Sequence, residues 1–145
     1  MAHLASIILT MAPSEEARVD VTAAVLVRCS DGVIEIRVRD GARIDVPEMK
    51  EIFDAQLELA EGKPSALLID IRPIASMTRA SQQFTARSSR TRDIIASAIV
   101  IESPVSRLLG NFYLQLSRPR HLTTLFNDEV VARAWLHERR AEASS

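Results

Sequence analysis

The chain is 145 residues long, 47% hydrophobic and 26% charged, a balance that suits one globular domain with a buried core. Its 18 basic and 19 acidic side chains nearly cancel and aromatics make up 4%, so no nucleic-acid or anionic-membrane surface is expected. A single cysteine, Cys29, excludes an internal disulfide and agrees with a reducing, cytoplasmic setting.

In chain order, residues 1–20 read as an amino-terminal arm. The run Leu4–Ala12 is apolar, yet it is too short to span a bilayer and lacks the basic flank of a signal peptide. It reads as an extra edge strand or a dimer arm, so a homodimer is expected. Residues 13–20, with Pro13 and Glu15-Glu16, read as a polar connector.

The domain proper is expected over residues 21–140. Val21–Arg28 and Val33–Arg39 are β-rich runs separated by Cys29-Ser30-Asp31-Gly32, a hairpin signal. In the second run Ile34, Ile36 and Val38 alternate with Glu35, Arg37 and Arg39, which predicts one buried face and one wet face. Asp45 and Glu48 form a capping box around Pro47 and predict a helix start. Met49, Ile52, Phe53, Gln56, Leu57 and Ala60 recur at helical spacing, and Gly62 and Pro64 end that helix.

Ser65–Asp70 is apolar without alternation, the pattern of a parallel strand covered on both faces. Pro73 stops it, and Thr78 caps a helix to about Ser89 with Ala80, Phe84 and Thr85 inward. Beyond it Arg87, Arg90 and Arg92 make a basic, solvated helix end. Ile94–Ile101 reads as a second buried strand, and Ser103-Pro104 starts a helix with Val105, Leu108, Leu109, Phe112, Tyr113 and Leu116 on one face. Ser117–His121 breaks that helix, and Leu122–Phe126 reads as a short edge strand. Asn127 caps a last helix docked by Val131, Ala134 and Trp135, and residues 141–145 form a tail. One hairpin followed by alternating helices and strands predicts a single α/β domain, four helices packed on a mostly parallel sheet.

The element order and the segment Leu67-Leu68-Ile69-Asp70-Ile71-Arg72 resemble the STAS superfamily. It comprises anti-sigma-factor antagonists, tails of anion transporters and STAS/SEC14-like lipid-binding relatives, small uncharacterised bacterial domains included. The resemblance implies a starting β-hairpin and alternating helices and parallel strands; for the small uncharacterised bacterial members it implies a fold, not an activity. In the antagonists an Asp-Ser-Ser/Thr-Gly-Leu motif opens the helix after this strand, and its first serine is phosphorylated. Asp70 matches the strand-end aspartate, but the helix here opens Met77-Thr78-Arg79-Ala80-Ser81, without the Asp-Ser pair or the glycine.

Two constellations are candidates for binding. The first is the turn holding Asp70, Arg72, Ser76, Thr78 and Arg79. Free N–H groups at a helix start attract an anion or a partner's acidic group, arginines add charge-assisted bonds, and Ser76 or Thr78 offers a phosphoryl acceptor. The second is Ser103, Arg107, Gly110, Asn111, Arg118 and Arg120, with Arg107 and Asn111 on one helix face and Gly110 allowing close approach of a backbone or ligand. His3, His121 and His137 stand isolated from other ligand types, and no phosphate loop or nucleophile elbow is present, so no metal, cofactor or catalysis is expected. The expected function is a non-enzymatic interaction module with a protein partner, or else a binder of a small anionic or lipid-like ligand between sheet and helices.

Overall fold

Residues 13–88, 93–117 and 121–144 are described by the computed structural model. Glu15–Asp20 (β1), Ala24–Cys29 (β2) and Val33–Val38 (β3) form an antiparallel meander. The β2–β3 turn closes through Gly32, whose φ of 85° lies in the left-handed region that favours glycine. After the two-residue β4 (Arg43–Ile44), helix α1 (Val46–Ala60) leads into β5 (Ser65–Asp70). The short β6 (Ser76–Met77), α2 (Arg79–Arg87) and β7 (Ile94–Val100) follow, then α3 (Pro104–Ser117), β8 (Leu122–Phe126) and α4 (Glu129–Ala143).

The main sheet has six strands in the order β1-β2-β3-β5-β7-β8, with β3, β5, β7 and β8 mutually parallel. β4 and β6 pair separately, in parallel. The four helices divide unequally between the faces. α1, α2 and α3 cover one, where Leu26, Ile34, Ile36, Leu67 and Ile99 meet Ile52, Phe53 and Leu109. α4 covers the other, where Val33, Ala66, Leu68, Ala98 and Val100 meet Ala132 and Leu136. β5 therefore has no wet face, which is why its sequence shows no alternation.

Several expectations are corrected. The connector expected at 13–20 is instead the edge strand β1, tied to β2 through Ala17 and Val19, which pack on the core. The arm expected at 1–20 therefore ends earlier, and Leu4–Ala12 lies outside the described residues. On α1, α2 and α3 most of the expected face holds, with Met49, Ile52, Phe53, Gln56, Thr85 and Leu109 buried, and single positions differ. In α1, Ala55 and Leu59 face inward while Leu57 is 43% exposed; in α2, Ser81 replaces Ala80; in α3, Ser106 is buried while Leu108 is 71% exposed. In α4, Ala132 and Leu136 are buried instead of Val131 and Ala134, although Trp135 does pack against Phe126 at 5.6 Å between ring centroids. Periodicity finds a stripe, but flanking apolar residues leave its phase open by one position. Asp128, not Asn127, caps α4, accepting from the Val130 and Val131 amides. The last helix runs to Ala143, so the expected tail at 141–145 is largely helix.

Candidate functional site

Asp45 caps α1 in the capping box read from sequence: its side chain accepts from the Val46 amide at 2.8 Å, and Glu48 accepts from the Asp45 amide at 2.8 Å. Thr78 caps α2, accepting from the Ser81 amide at 3.1 Å. The parallel β4–β6 pair brings these two helix starts together, and the Thr78 hydroxyl donates to the Asp45 carboxylate at 2.8 Å. That bond, with the Val46 amide, holds the Asp45 carboxyl below its ordinary value. The joined caps are exposed, beside the exposed Arg43, Pro47, Ala75, Arg79 and Ala80. Ser76 is half-buried in β6.

Asp70 and Arg72 stand apart from that junction and face α4. Arg72 donates to both Asp70 oxygens, Nε at 2.9 Å and Nη2 at 2.8 Å, and its amide adds a bond at 3.1 Å. Arg37 reaches Asp70 at 3.2 Å and pairs with Glu129 of α4 and, at 3.1 Å, with Glu35. Glu35 in turn pairs with Arg133, which bonds Asp31 at 2.5 Å, and His137 Nε2 lies 2.6 Å from the same Asp31 oxygen. These residues form a continuous ionic chain between sheet and α4. Burial pushes the Asp70 carboxyl up, but the Arg72 hydrogen bonds and the Arg72 and Arg37 charges more than offset this and leave it below its ordinary value. The Arg72 charge is thus engaged by Asp70 and Glu129 rather than standing free at the turn.

Within the second constellation, Ser103 and Ser106 cap α3 mutually. Ser103 Oγ accepts from the Ser106 amide at 3.1 Å, and Ser106 Oγ accepts from the Ser103 amide at 2.9 Å. Arg107 and Asn111 are exposed. Gly110 is a packing requirement: a Cβ there would lie 2.9 Å from Ile101 Cγ2 and 3.1 Å from Leu125 Cδ2. Arg118 and Arg120, like Arg90 and Arg92 of the basic run, lie outside the described residues. Among the described residues the two constellations do not merge into one site.

An apolar cavity of about 80 Å³ lies between the sheet and α1, α2 and α3, bounded by Phe53, Ile74, Met77, Leu109, Phe112 and Tyr113 among others. Tyr113 carries its hydroxyl to Ser97, and burial is the main cause that pushes this hydroxyl up to about 12. Ser97 Oγ also lies 3.1 Å from His121 Nε2. This Ser97–Tyr113–His121 cluster has no signature in the sequence. It arises because β8 runs parallel to β7 with Thr123 opposite Ser97, which sets His121 at the strand's start. Among the described residues no group of three His, Cys, Asp or Glu is arranged to hold a metal ion. Nor is any helix among them long and apolar enough to cross a membrane.

The sequence pattern of a domain of unknown function, DUF7793, matches residues 27–140. The chain belongs to this family. Within DUF7793 the match runs from β2 through most of α4, so it takes in both helix caps, the ionic chain and the cavity. A similar solved structure is that of an uncharacterised protein of the DUF3478 family with a SpoIIAA-like fold, from Shewanella loihica PV-4. It aligns with a TM-score of 0.60 at 14% identity, covering 86% of this chain and 99% of that one. No curated protein matches the chain. At that identity the shared property is the fold, and the DUF7793 chain has the SpoIIAA-like, STAS-type architecture that its element order resembled.

Proposed function

We propose that this protein is a non-enzymatic STAS-type regulatory module that docks a protein partner through the exposed junction of its two helix caps. The observation that carries this reading is Thr78, an exposed residue whose hydroxyl both caps α2 and bonds the cap of α1. The Asp45 and Glu48 carboxylates already fill the start of α1, so the exposed Arg43 and Arg79 beside the caps are what the junction offers an acidic group on a partner. A charge placed on Thr78 would face the Asp45 carboxylate and part the two caps, which makes the junction a natural switch point. Arg79 lies exposed beside it, whereas Asp70 and Arg72 support the turn from behind.

The test is affinity capture from a cytosolic extract with wild type, Thr78→Ala and Thr78→Glu. Thr78→Ala is expected to cost about 1 kcal/mol of stability, the usual worth of an N-cap, and to weaken capture. Thr78→Glu is expected to abolish capture while the fold survives. Identical captured sets for all three proteins, or no specific partner for any, would overturn the reading.

A second reading rests on the apolar cavity, which lies beneath Phe112 and Met77. Its size limits the occupant. About 80 Å³ is well below the ~150 Å³ of an engineered cavity that accepts benzene, so a short alkyl group fits and a long acyl chain does not. Xenon, smaller than benzene, is expected to bind there, read by xenon NMR, and Leu109→Trp to exclude it; binding of hexanoate or palmitate would contradict the size argument.

A further inference from the structure

Most of the described arginines are paired with a carboxylate. Arg18 and Arg39 pair with Asp20, Arg28 with Glu61, Arg37 and Arg72 with Asp70, Arg133 with Asp31, and Arg139 with Glu142. Arg43, Arg79, Arg87 and Arg107 differ. Among the described residues none of their guanidiniums has a hydrogen-bond or ion-pair partner.

All but Arg107 lie on one surface. Arg79, Gln83 and Arg87 follow one another at four-residue spacing along the exposed side of α2, while Ser81 and Thr85 are buried and Phe84 packs on Phe53. Along the helix axis Arg79 and Arg87 are about 12 Å apart. Arg43 stands opposite Ser76 in the β4–β6 register, beside the start of α2, with Ile44 buried and Arg43 exposed. Lys50 of α1 extends the surface, its Nζ 5.8 Å from the centre of the Phe84 ring.

Acids are missing from α2. No Asp or Glu occurs between Asp70 and Asp93, and Asp45 and Glu48 at the start of α1 are held in the cap bonds. The whole chain has a net charge of −1, so these cations are a local feature and not a share of a general excess.

We infer that the exposed side of α2, together with Arg43, docks an acidic segment of a protein partner. Its carboxylates repeat about every 6 Å, as on a helix with Glu at four-residue spacing, and meet Arg79 and Arg87 in turn. The inference rests on the Thr78 junction being the partner site, and it supplies the partner's chemistry. Nucleic acid suits the surface less well. Tracking phosphates takes more cations than are gathered here, and Phe84, half-buried near Lys50, offers little ring for stacking. Nor does α2 expose a large apolar side chain to enter a bilayer, its exposed residues being Arg79, Ala80, Gln83 and Arg87.

The test titrates the ¹⁵N-labelled full-length chain by NMR with a helical peptide carrying glutamates at four-residue spacing. Amide signals from Arg79 to Arg87 are expected to shift, the affinity to fall as salt is raised, and the same peptide with glutamine for glutamate not to bind. Arg79→Glu with Arg87→Glu is expected to weaken binding at least about tenfold, since two attractions become repulsions. Arg107→Glu, on α3, is expected to change it less than about twofold. Equal losses from the two proteins, or a loss from neither, would overturn the inference. So would tighter binding of a DNA duplex or of phosphatidylglycerol vesicles through the same arginines, because the partner would then be of another class. Thermal melting checks the fold of each variant; if the double variant does not fold, Arg79→Gln with Arg87→Gln replaces it, and a loss is again expected. Thr78→Glu keeps the two readings apart. Partner capture lost in Thr78→Glu, with peptide binding indifferent to Arg79 and Arg87, leaves the junction standing and removes the acidic partner. Peptide binding that follows Arg79 and Arg87 while capture ignores Thr78 does the reverse.

Discussion

Leu136→Ala is expected to destabilise the protein by about 2–5 kcal/mol, measured as a lower midpoint of urea unfolding at unchanged slope. Leu136 is fully buried, and with Ala132 it is the apolar contact of α4 with the Val33–Leu68–Val100 face of the sheet. No other helix among the described residues packs there to fill the space left by the lost side chain, so the cavity term adds to the transfer term. The control is Val131→Ala. Val131 is 54% exposed, and its truncation is expected to change stability by less than about 0.5 kcal/mol. Comparable losses from the two substitutions would mean that α4 is rotated from the orientation described here.

Asp70→Ala is the second large effect. It removes the acceptor of three Arg72 bonds and one from Arg37, leaving Arg72 with Glu129 and Arg37 with Glu129 and Glu35. Removing one partner of a buried pair costs about 3–5 kcal/mol. The arginine side chains keep 36% and 33% of their exposure, which lets water solvate part of the orphaned charge. The expected loss at neutral pH is therefore smaller, about 2–3 kcal/mol.

The pH dependence follows from the same contacts. The Asp70 carboxyl is depressed in the folded state relative to its ordinary 3.8, so its contribution is complete above that value and is lost as pH falls through the lower folded value. Asp31 behaves alike: burial pushes it up, but bonds from His137, the Val33 amide and Arg133 bring it below its ordinary value. Wild-type stability should decline on acidification below about pH 4, and the gap between wild type and Asp70→Ala should close over that range. A gap that stays constant from pH 7 to pH 2 would show that the charge on Asp70 does not matter to the fold.

Local chemistry made much of this molecule legible. The Asp31-Gly32 turn, the Asp45–Glu48 capping box, the Thr78 cap and the double-sided burial of Ser65–Asp70 all depend on residues near each other in the chain, and each stands in the structure as read. β1 was missed because its charged residues disguise an edge strand as a linker. Arg18 and Asp20 pair with each other along the exposed side, at 3.0 Å, while Ala17 and Val19 supply the inward contacts. The pairing of β4 with β6 was invisible because two-residue strands carry no period.

The β2–β3 hairpin, the four helices, the strands β5, β7 and β8 in their order, and the caps Asp45, Thr78 and Ser103 were determined by the sequence alone, because spacing and turn chemistry act over a few residues. Only the tertiary structure decided which side of α4 faces the sheet, that Thr78 meets Asp45, that Arg72 is engaged by Asp70 and Glu129, and that Ser97, Tyr113 and His121 meet. Those contacts join residues from 2 to 57 positions apart across strand registers, and register is set by how the whole set of apolar faces packs at once.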